Sequence, residues 1–199
     1  GMGRLEISGL PIPVVANKTI TNYLPARGLW RIVQMTSGSD VFTPSGGTRT
    51  AHATDISITH ITFEGQETTV STFACRGSWV SRFTFEHNTM VNLHAVFLGT
   101  STSLFTEVLL ADLQTGIDIN HNRVLNTTTE DSNPQMFLRF VRDAHADHNT
   151  ISGNGGAGIE IYGGNGVVTT DGVATNERKA VNCTINGNVI RNQTAGLGV

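Results

Sequence analysis

The stretch TGIDINHNRVLN, from Thr115 to Asn126, recurs in altered form along the chain. Close variants occupy residues 83–92 (FTFEHNTMVN), 144–154 (AHADHNTISGN) and 183–192 (CTINGNVIRN), and a degenerate copy occupies residues 56–65 (ISITHITFEG). Such internal repetition indicates one structural unit that is built several times and stacked on itself.

The spacing of the copies is irregular. The recurring asparagine stands at Asn88, Asn122, Asn149 and Asn188, with Ile61 in the same place of the degenerate copy, at intervals of 27, 34, 27 and 39 residues. A solenoid accommodates such intervals because its rungs keep their strands while the loops between them differ in length.

Each copy alternates apolar and polar residues before the asparagine, as in Ile117, Asp118 and Ile119, and this period of two is typical of a strand. An apolar residue two positions after the asparagine indicates a second strand, and a third short segment follows each loop. The sequence therefore predicts an all-β, single-domain parallel β-helix over residues 1–199, with three short strands per rung and about six or seven rungs. At the bend, asparagine tolerates left-handed backbone angles, and its amide groups are expected to stack as a ladder.

These repeats resemble the right-handed parallel β-helix proteins of the pectate-lyase-like superfamily, best over residues 56–199. Residues 12–22 (IPVVANKTITN) and 28–43 resemble the opening rungs of such domains. The resemblance implies a polysaccharide partner, an extracellular or periplasmic location, and a substrate that lies along the sheet of the third segments. Gly1 and Met2 read as a tag remnant before a start methionine. No signal peptide follows, and the last rung is expected to be truncated, capped elsewhere, or paired with a second copy.

Composition narrows the partner classes. Thirteen basic and sixteen acidic residues give a net charge of −3, with no basic cluster of the kind that binds nucleic acid and no apolar stretch long enough to cross a membrane. We therefore expect neither nucleic acid nor membrane as a partner. Cys75 and Cys183 fit no disulfide framework or metal motif and are expected to be buried thiols.

The third segments carry the leading candidate site. Two outward rows are predicted, one with Ala74, Phe97, Phe137 and Glu160, the other with Arg76, Gly99, Arg139 and Tyr162. By the resemblance, Arg139 would be the catalytic base, Tyr162 the proton donor or sugar platform, and Glu160 their orienting partner. Arg76, Phe97 and Phe137 would bind the substrate. A salt bridge between Arg139 and Glu160 beside a surface tyrosine is the structural alternative.

Three further patterns have both a chemical and a structural interpretation. Asp118 and Asp147 point outward on neighbouring rungs, as a glycosidase pair would, or are ordinary solvated carboxylates. The row His60, His87, His121 and His148 is either a transition-metal site or a stack of turn residues. The stretch GGAGIEIYG at 155–163 nearly matches a calcium-binding nonapeptide but does not continue in tandem, so turn glycines are the favoured explanation. We therefore expect no cofactor, with Ca²⁺ as the alternative.

Signatures of several enzyme classes are absent from the sequence, among them the polygalacturonase, alginate-epimerase, serine-hydrolase, zincin and phosphate-loop motifs. Two function classes remain. The first is a carbohydrate-active protein, a polysaccharide lyase or related enzyme that acts on an acidic glycan. The second is a non-catalytic structural or adhesive rod, or a glycan-binding module.

Overall fold

The three predicted strands per rung are present. The computed structural model describes residues 4–7, 10–21, 31–35, 39–65, 72–99, 107–109, 112–125, 133–153, 157–162, 167–170, 173–175 and 180–191. Sheet A contains β1 (Arg4–Ile7), β4 (Arg31–Gln34), β7 (Thr62–Glu64), β10 (Thr89–Val91), β14 (Arg123–Leu125), β17 (Thr150–Ser152) and β22 (Val189–Arg191). Sheet B contains β2 (Ile12–Val14), β5 (Phe42–Pro44), β8 (Phe73–Gly77), β11 (His94–Leu98), β15 (Met136–Arg139) and β18 (Ile159–Tyr162). Sheet C contains β3 (Lys18–Thr21), β6 (Ala53–Thr59), β9 (Val80–Glu86), β13 (Gln114–Asn120), β16 (Val141–His145) and β21 (Val181–Thr184).

Every strand of these sheets pairs in parallel with the equivalent strand of the next rung, in chain order. The chain runs from a sheet C strand through a short corner into sheet A, then through a loop into sheet B, and turns again into sheet C. With seven strands in sheet A and six in each of the others, the predicted parallel β-helix of six or seven rungs is confirmed. Residues 12–14, 18–21, 31–34 and 42–44 form opening rungs, as predicted.

Three further short strands lie between the strands of the three sheets. They are β12 (Glu107–Leu109), β19 (Val167–Thr170) and β20 (Val173–Thr175), and they form a small separate sheet. The sequence also predicts a second asparagine series, Asn92, Asn126, Asn154 and Asn192, at the exit of the sheet A strands. Asn92 directly follows β10 and has φ of 57°. Asn126, Asn154, Asn192 and the last third segment, residues 195–199, lie outside the described residues. Within the described ranges, no helix has the length and apolar character needed to cross a membrane.

Inward side chains form one core along the axis. Phe63 stacks on Phe85 with ring centres 6.0 Å apart, and Phe85 stacks on Phe83 at 6.3 Å. All three rings are fully buried, and burial of each stabilises the fold by about 1.5–3 kcal/mol. Cys75 is a fully buried thiol of this core, as predicted, whereas Cys183 is half-buried and packs against its edge.

The corner between sheets C and A is made by a left-handed residue directly before each asparagine. His60, His87, His121 and His148 have φ of 59°, 54°, 56° and 56°, and Gly187 takes the same place with φ of 63°. The prediction that asparagine adopts this conformation is therefore wrong. Histidine is among the residues that visit the left-handed region most readily, so it makes the turn while the asparagine that follows points inward.

The buried asparagines form the predicted amide ladder. The side chain of Asn122 donates through Nδ2 to the Phe85 carbonyl at 2.8 Å and accepts at Oδ1 from the Asn88 backbone N–H at 3.0 Å. Each ladder asparagine thus satisfies one N–H and one C=O of the preceding corner. The same pair of bonds joins Asn88 to Ile58 and Ile61, Asn149 to Ile119 and Asn122, and Asn188 to Ala146 and Asn149.

Candidate functional site

The outward face of sheet B brings together the side chains predicted to form a site. One row across four rungs contains Arg76, Phe97, Phe137 and Glu160. The prediction of Ala74 in the place of Arg76 is wrong. The adjacent residues Ala74 and Cys75 both belong to the buried core, so the strict alternation fails in β8 and the outward position falls two residues later than expected.

Gly99, Arg139 and Tyr162 of the second predicted row are in register, whereas Arg76, also predicted in this row, lies in the first row beside Phe97. Arg139 pairs with Tyr162, and Gly99 lies on the other side of Arg139. A Cβ atom added at Gly99 would stand 2.5 Å from the Arg139 Cβ, closer than real side chains approach. Because Gly99 has no side chain, the Arg139 side chain has room to lie against the Gly99 backbone.

Four aromatic rings on this face form a continuous platform. Phe73 contacts Phe97 edge to face with ring centres 5.6 Å apart, and Phe97 contacts Phe137 in the same way at 5.1 Å. Tyr162 continues the series at 6.4 Å from Phe137, while His94 stacks on Phe73 at 4.7 Å. Edge-to-face contacts of this kind stabilise aromatic clusters beyond their buried area. Phe73, His94 and Phe137 are buried within the platform, and Phe97 and Tyr162 are half-buried at its surface.

Both arginines lie over the platform. The Arg76 Cζ atom is 4.6 Å from the Phe73 ring centre and 5.3 Å from that of Phe97. The Arg139 Cζ atom is 4.3 Å from the Phe137 centre, 5.4 Å from that of Tyr162 and 5.7 Å from that of Phe97. Because both guanidinium groups flank Phe97, they are no more than about 11 Å apart. Contacts of this type are worth about 0.5–2 kcal/mol each.

Asp40 anchors the first of these arginines. Its Oδ2 lies 3.1 Å from Arg76 Nε, and its Oδ1 accepts the Phe73 backbone N–H at 2.9 Å. Burial raises the pKa of the Asp40 carboxyl, and the Phe73 hydrogen bond, Arg76 and His94 oppose that rise. Asp40 could not be identified from the sequence, because it lies in a loop before β5 and no strand pattern connects it to Phe73, 33 positions later.

The predicted catalytic trio therefore shares one surface with the predicted binding residues. Arg139 and Tyr162 lie side by side on neighbouring strands, and Glu160 and Tyr162 share one face of β18. A carboxylate, a phenol, two guanidinium groups and three phenyl rings are the chemical groups that contact acidic sugars. The surface can bind carboxylates through charge-assisted hydrogen bonds and ring faces through its aromatic side chains.

The alternative carboxylate pair lies on sheet C. Asp118 pairs with His145, and Asp147 follows two residues later. Asp147 accepts from Thr184 Oγ1 at 2.9 Å and from the Asn186 backbone N–H at 2.7 Å, which favours a structural role in joining two rungs. Burial raises the pKa of Asp118, and Glu86 and Asp147 add to this while His145 opposes it.

The histidine row forms the predicted stack. Successive ring centres of His60, His87, His121 and His148 are 4.9, 5.0 and 5.2 Å apart, and all four residues are exposed. The rings follow a line along the axis rather than converging on a point, as a zinc site requires. In the part of the chain that the structure describes, no three His, Cys, Asp or Glu side chains are grouped to hold a metal ion. Of the calcium-like stretch, residues 157–162 are described, and β18 covers four of them.

Comparison of the chain with protein-family models, with curated proteins and with solved structures finds no match. The assignment of the fold therefore rests on the strand pairing itself.

Proposed function

We propose that this protein is carbohydrate-active and binds an acidic polysaccharide along the outward face of sheet B. The resemblance to the pectate-lyase-like superfamily supports this role and the extracellular or periplasmic location that goes with it. In this proposal Arg76 and Arg139 bind sugar carboxylates, and the half-buried rings of Phe97 and Tyr162 contact the faces of sugar rings. The buried Phe137 ring supports the Arg139 guanidinium.

The observation that carries the proposal is the pair of guanidinium groups on either side of the Phe97 ring. Guanidinium groups stay protonated in proteins and can form two parallel hydrogen bonds to one carboxylate. Because both side chains already rest on aromatic rings, they lose less conformational freedom when a ligand binds. Two guanidinium groups beside aromatic rings, one of them already paired with Asp40, match a chain that carries carboxylates on sugar rings.

The direction of the rows favours a polymer as the ligand. Equivalent residues of successive rungs are about 4.8 Å apart, so the row from Arg76 to Glu160 extends about 14 Å along the axis. A polysaccharide chain parallel to the axis would contact several rungs at once. The affinity would then rise with the number of sugar units until the row is covered.

Binding of polygalacturonate, alginate and hyaluronan, measured by calorimetry, tests the proposal. We expect at least one polymer to bind, and Arg76→Gln and Arg139→Gln each to weaken binding about tenfold or more, since a charge-assisted hydrogen bond is worth about 1.5–3 kcal/mol. Arg123→Gln is the matched control, because this exposed arginine lies on sheet A. Absence of binding by all three polymers, or an equal loss in the control, would contradict the proposal and favour a structural rod.

A lyase reaction at the same surface is the second candidate. The position of Tyr162 beside Arg139 favours it, because elimination needs a base that removes the proton next to the sugar carboxylate and an acid that protonates the leaving oxygen. A protonated guanidinium cannot accept a proton, so Arg139 would have to lose one before it could act as the base. We therefore rank this activity below binding. Ultraviolet absorbance of the unsaturated product would reveal the reaction, and Tyr162→Phe should abolish it while binding persists. Binding without product would assign the protein to the non-catalytic, glycan-binding class.

A further inference from the structure

A second column of left-handed residues crosses sheet C. At these residues the backbone pairing between neighbouring strands of sheet C is interrupted. They occupy equivalent positions in successive rungs. They are Asn17, Asp55, Arg82, Gly116, Asp143 and Asn182, with φ of 59°, 60°, 49°, 66°, 52° and 52°. Each rung therefore bends at the same position along its sheet C strand.

The backbone does not require a glycine in this column. Five of its six members carry side chains at nearly the same φ as Gly116. A Cβ atom added at Gly116 would meet Arg82 atoms at 3.6 Å or more, which is an ordinary van der Waals distance. Both the conformation and the available space permit a side chain at Gly116, so its absence leaves a gap in the column.

A recess of about 390 Å³ lies at this gap. The column supplies one wall, where Arg82 donates from Nε and Nη2 to the two carboxylate oxygens of Asp55 at 2.7 Å each. The outward residues of the next row supply the other polar groups, namely the Ser57 and Thr84 hydroxyls and the Asp118 carboxyl. The volume falls within the range of small-molecule sites.

The two carboxylates of the recess differ in their partners. Asp55 is paired with Arg82, whose hydrogen bonds lower its pKa to about 2, so this pair is ionised and electrically compensated. Asp118 is half-buried, and none of the described residues donates a hydrogen bond to its side chain. A partly desolvated carboxyl without a donor gains free energy when a ligand hydroxyl supplies one.

We propose that this recess binds one ring of a neutral saccharide, with Asp118 accepting hydrogen bonds from ring hydroxyls. Ser57 and Thr84 supply hydroxyls that act as donor or acceptor, and the Arg82–Asp55 pair forms a fixed polar wall. This site is separate from the face of sheet B and has the opposite charge preference. Glu86 and Asp147 lie close enough to Asp118 to influence its ionisation, and they repel an acidic sugar.

Nuclear magnetic resonance tests this inference on the whole chain. Methyl glucoside, methyl galactoside, methyl mannoside, cellobiose, maltose and lactose are titrated while the backbone amides of Gly116 and Asp118 are followed. We expect at least one sugar to shift both signals with a Kd in the millimolar range, the order expected for a ligand of about a dozen heavy atoms. The signals of Phe97 and Phe137 on sheet B should stay in place.

Two variants complete the test. Gly116→Asn fills the recess with a side chain that the column already carries at Asn182, and we expect it to weaken binding at least tenfold. Asp118→Asn, which keeps the size of the side chain, should weaken binding several-fold. Gly46→Asn is the matched control, since Gly46 is exposed, has φ of 84° and has open space around its Cβ position.

Three outcomes would overturn the inference. They are the absence of shifts with all six sugars, unchanged binding by Gly116→Asn in a variant whose spectrum shows the native fold, and a response of the same amides to methylamine or Ca²⁺ but to no sugar. The last outcome would identify a cation site instead.

Discussion

The ladder asparagines satisfy main-chain groups that the corners would otherwise leave buried without partners. Asn122 accepts from Asn88 and donates to Phe85, so one side chain must offer both an acceptor and a donor at short reach. Aspartate lacks the donor, and glutamine is longer by one methylene. This requirement explains why the same residue type recurs in each copy while its neighbours vary.

Removing one ladder amide should destabilise the whole domain. We predict that Asn122→Ala lowers the free energy of unfolding by about 2–4 kcal/mol, because it leaves the Asn88 N–H and the Phe85 carbonyl buried without partners. Urea denaturation measured by circular dichroism gives the value. Asn186→Ala is the control: this residue is exposed, and the change should stay within about 0.5 kcal/mol. Equal losses of unfolding free energy in the two variants would show that a ladder amide contributes no more to stability than an exposed side chain.

The corner as an element depends on a left-handed residue more than on an imidazole. In the rung that follows the rung of His148, Gly187 occupies the corner position in the same left-handed conformation. A corner therefore forms without an imidazole ring. The histidine stack lies outside the core, and its rings are exposed. We therefore attribute the stability of the corner chiefly to its backbone geometry and to the asparagine that follows.

Paired substitutions at one corner separate these contributions. His121→Gly and His121→Ala both remove the ring, but alanine at φ of 56° keeps the strain that glycine avoids. We predict that the glycine variant is more stable than the alanine variant by about 1 kcal/mol in urea denaturation. At Thr150, which lies within β17, the order should reverse, because glycine is the poorer strand residue. The same order at both positions would contradict the assigned role of the corner.

The sequence predicted the elements whose pattern is local. Alternation around Ile117 and Ile119 indicated the strands of sheet C, and the recurring asparagine indicated the corner. It misplaced Ala74 because Ala74 and its neighbour Cys75 both pack in the core, and alternation cannot reveal such a break. It could not connect Asp40 with Arg76, nor identify the gap at Gly116, because both depend on which residues stacking places side by side.

At the scale of the molecule, the solenoid presents different chemistry on its sheets. Sheet B carries two arginines on an aromatic platform, whereas sheet C carries the recess beside Asp118. Parallel stacking repeats each outward position in every rung, so equivalent residues form a row along the axis. A substitution in one rung therefore changes one member of that row. Arg76 and Arg139 lie on sheet B, and Gly116 and Asp118 lie on sheet C, so we expect the effects of their substitution on binding to be independent.

The central structural claim is that the ladder asparagine of each repeat stacks on the corner of the preceding repeat. Nuclear Overhauser enhancements from the Asn122 side-chain amide protons test this most directly. We predict cross-peaks to the Asn88 backbone amide, 34 residues earlier, and to the protons of Phe85 and Glu86. Equivalent cross-peaks should link Asn88 to Ile61 and Asn149 to Asn122. Cross-peaks confined to residues within each copy would contradict the stacked β-helix.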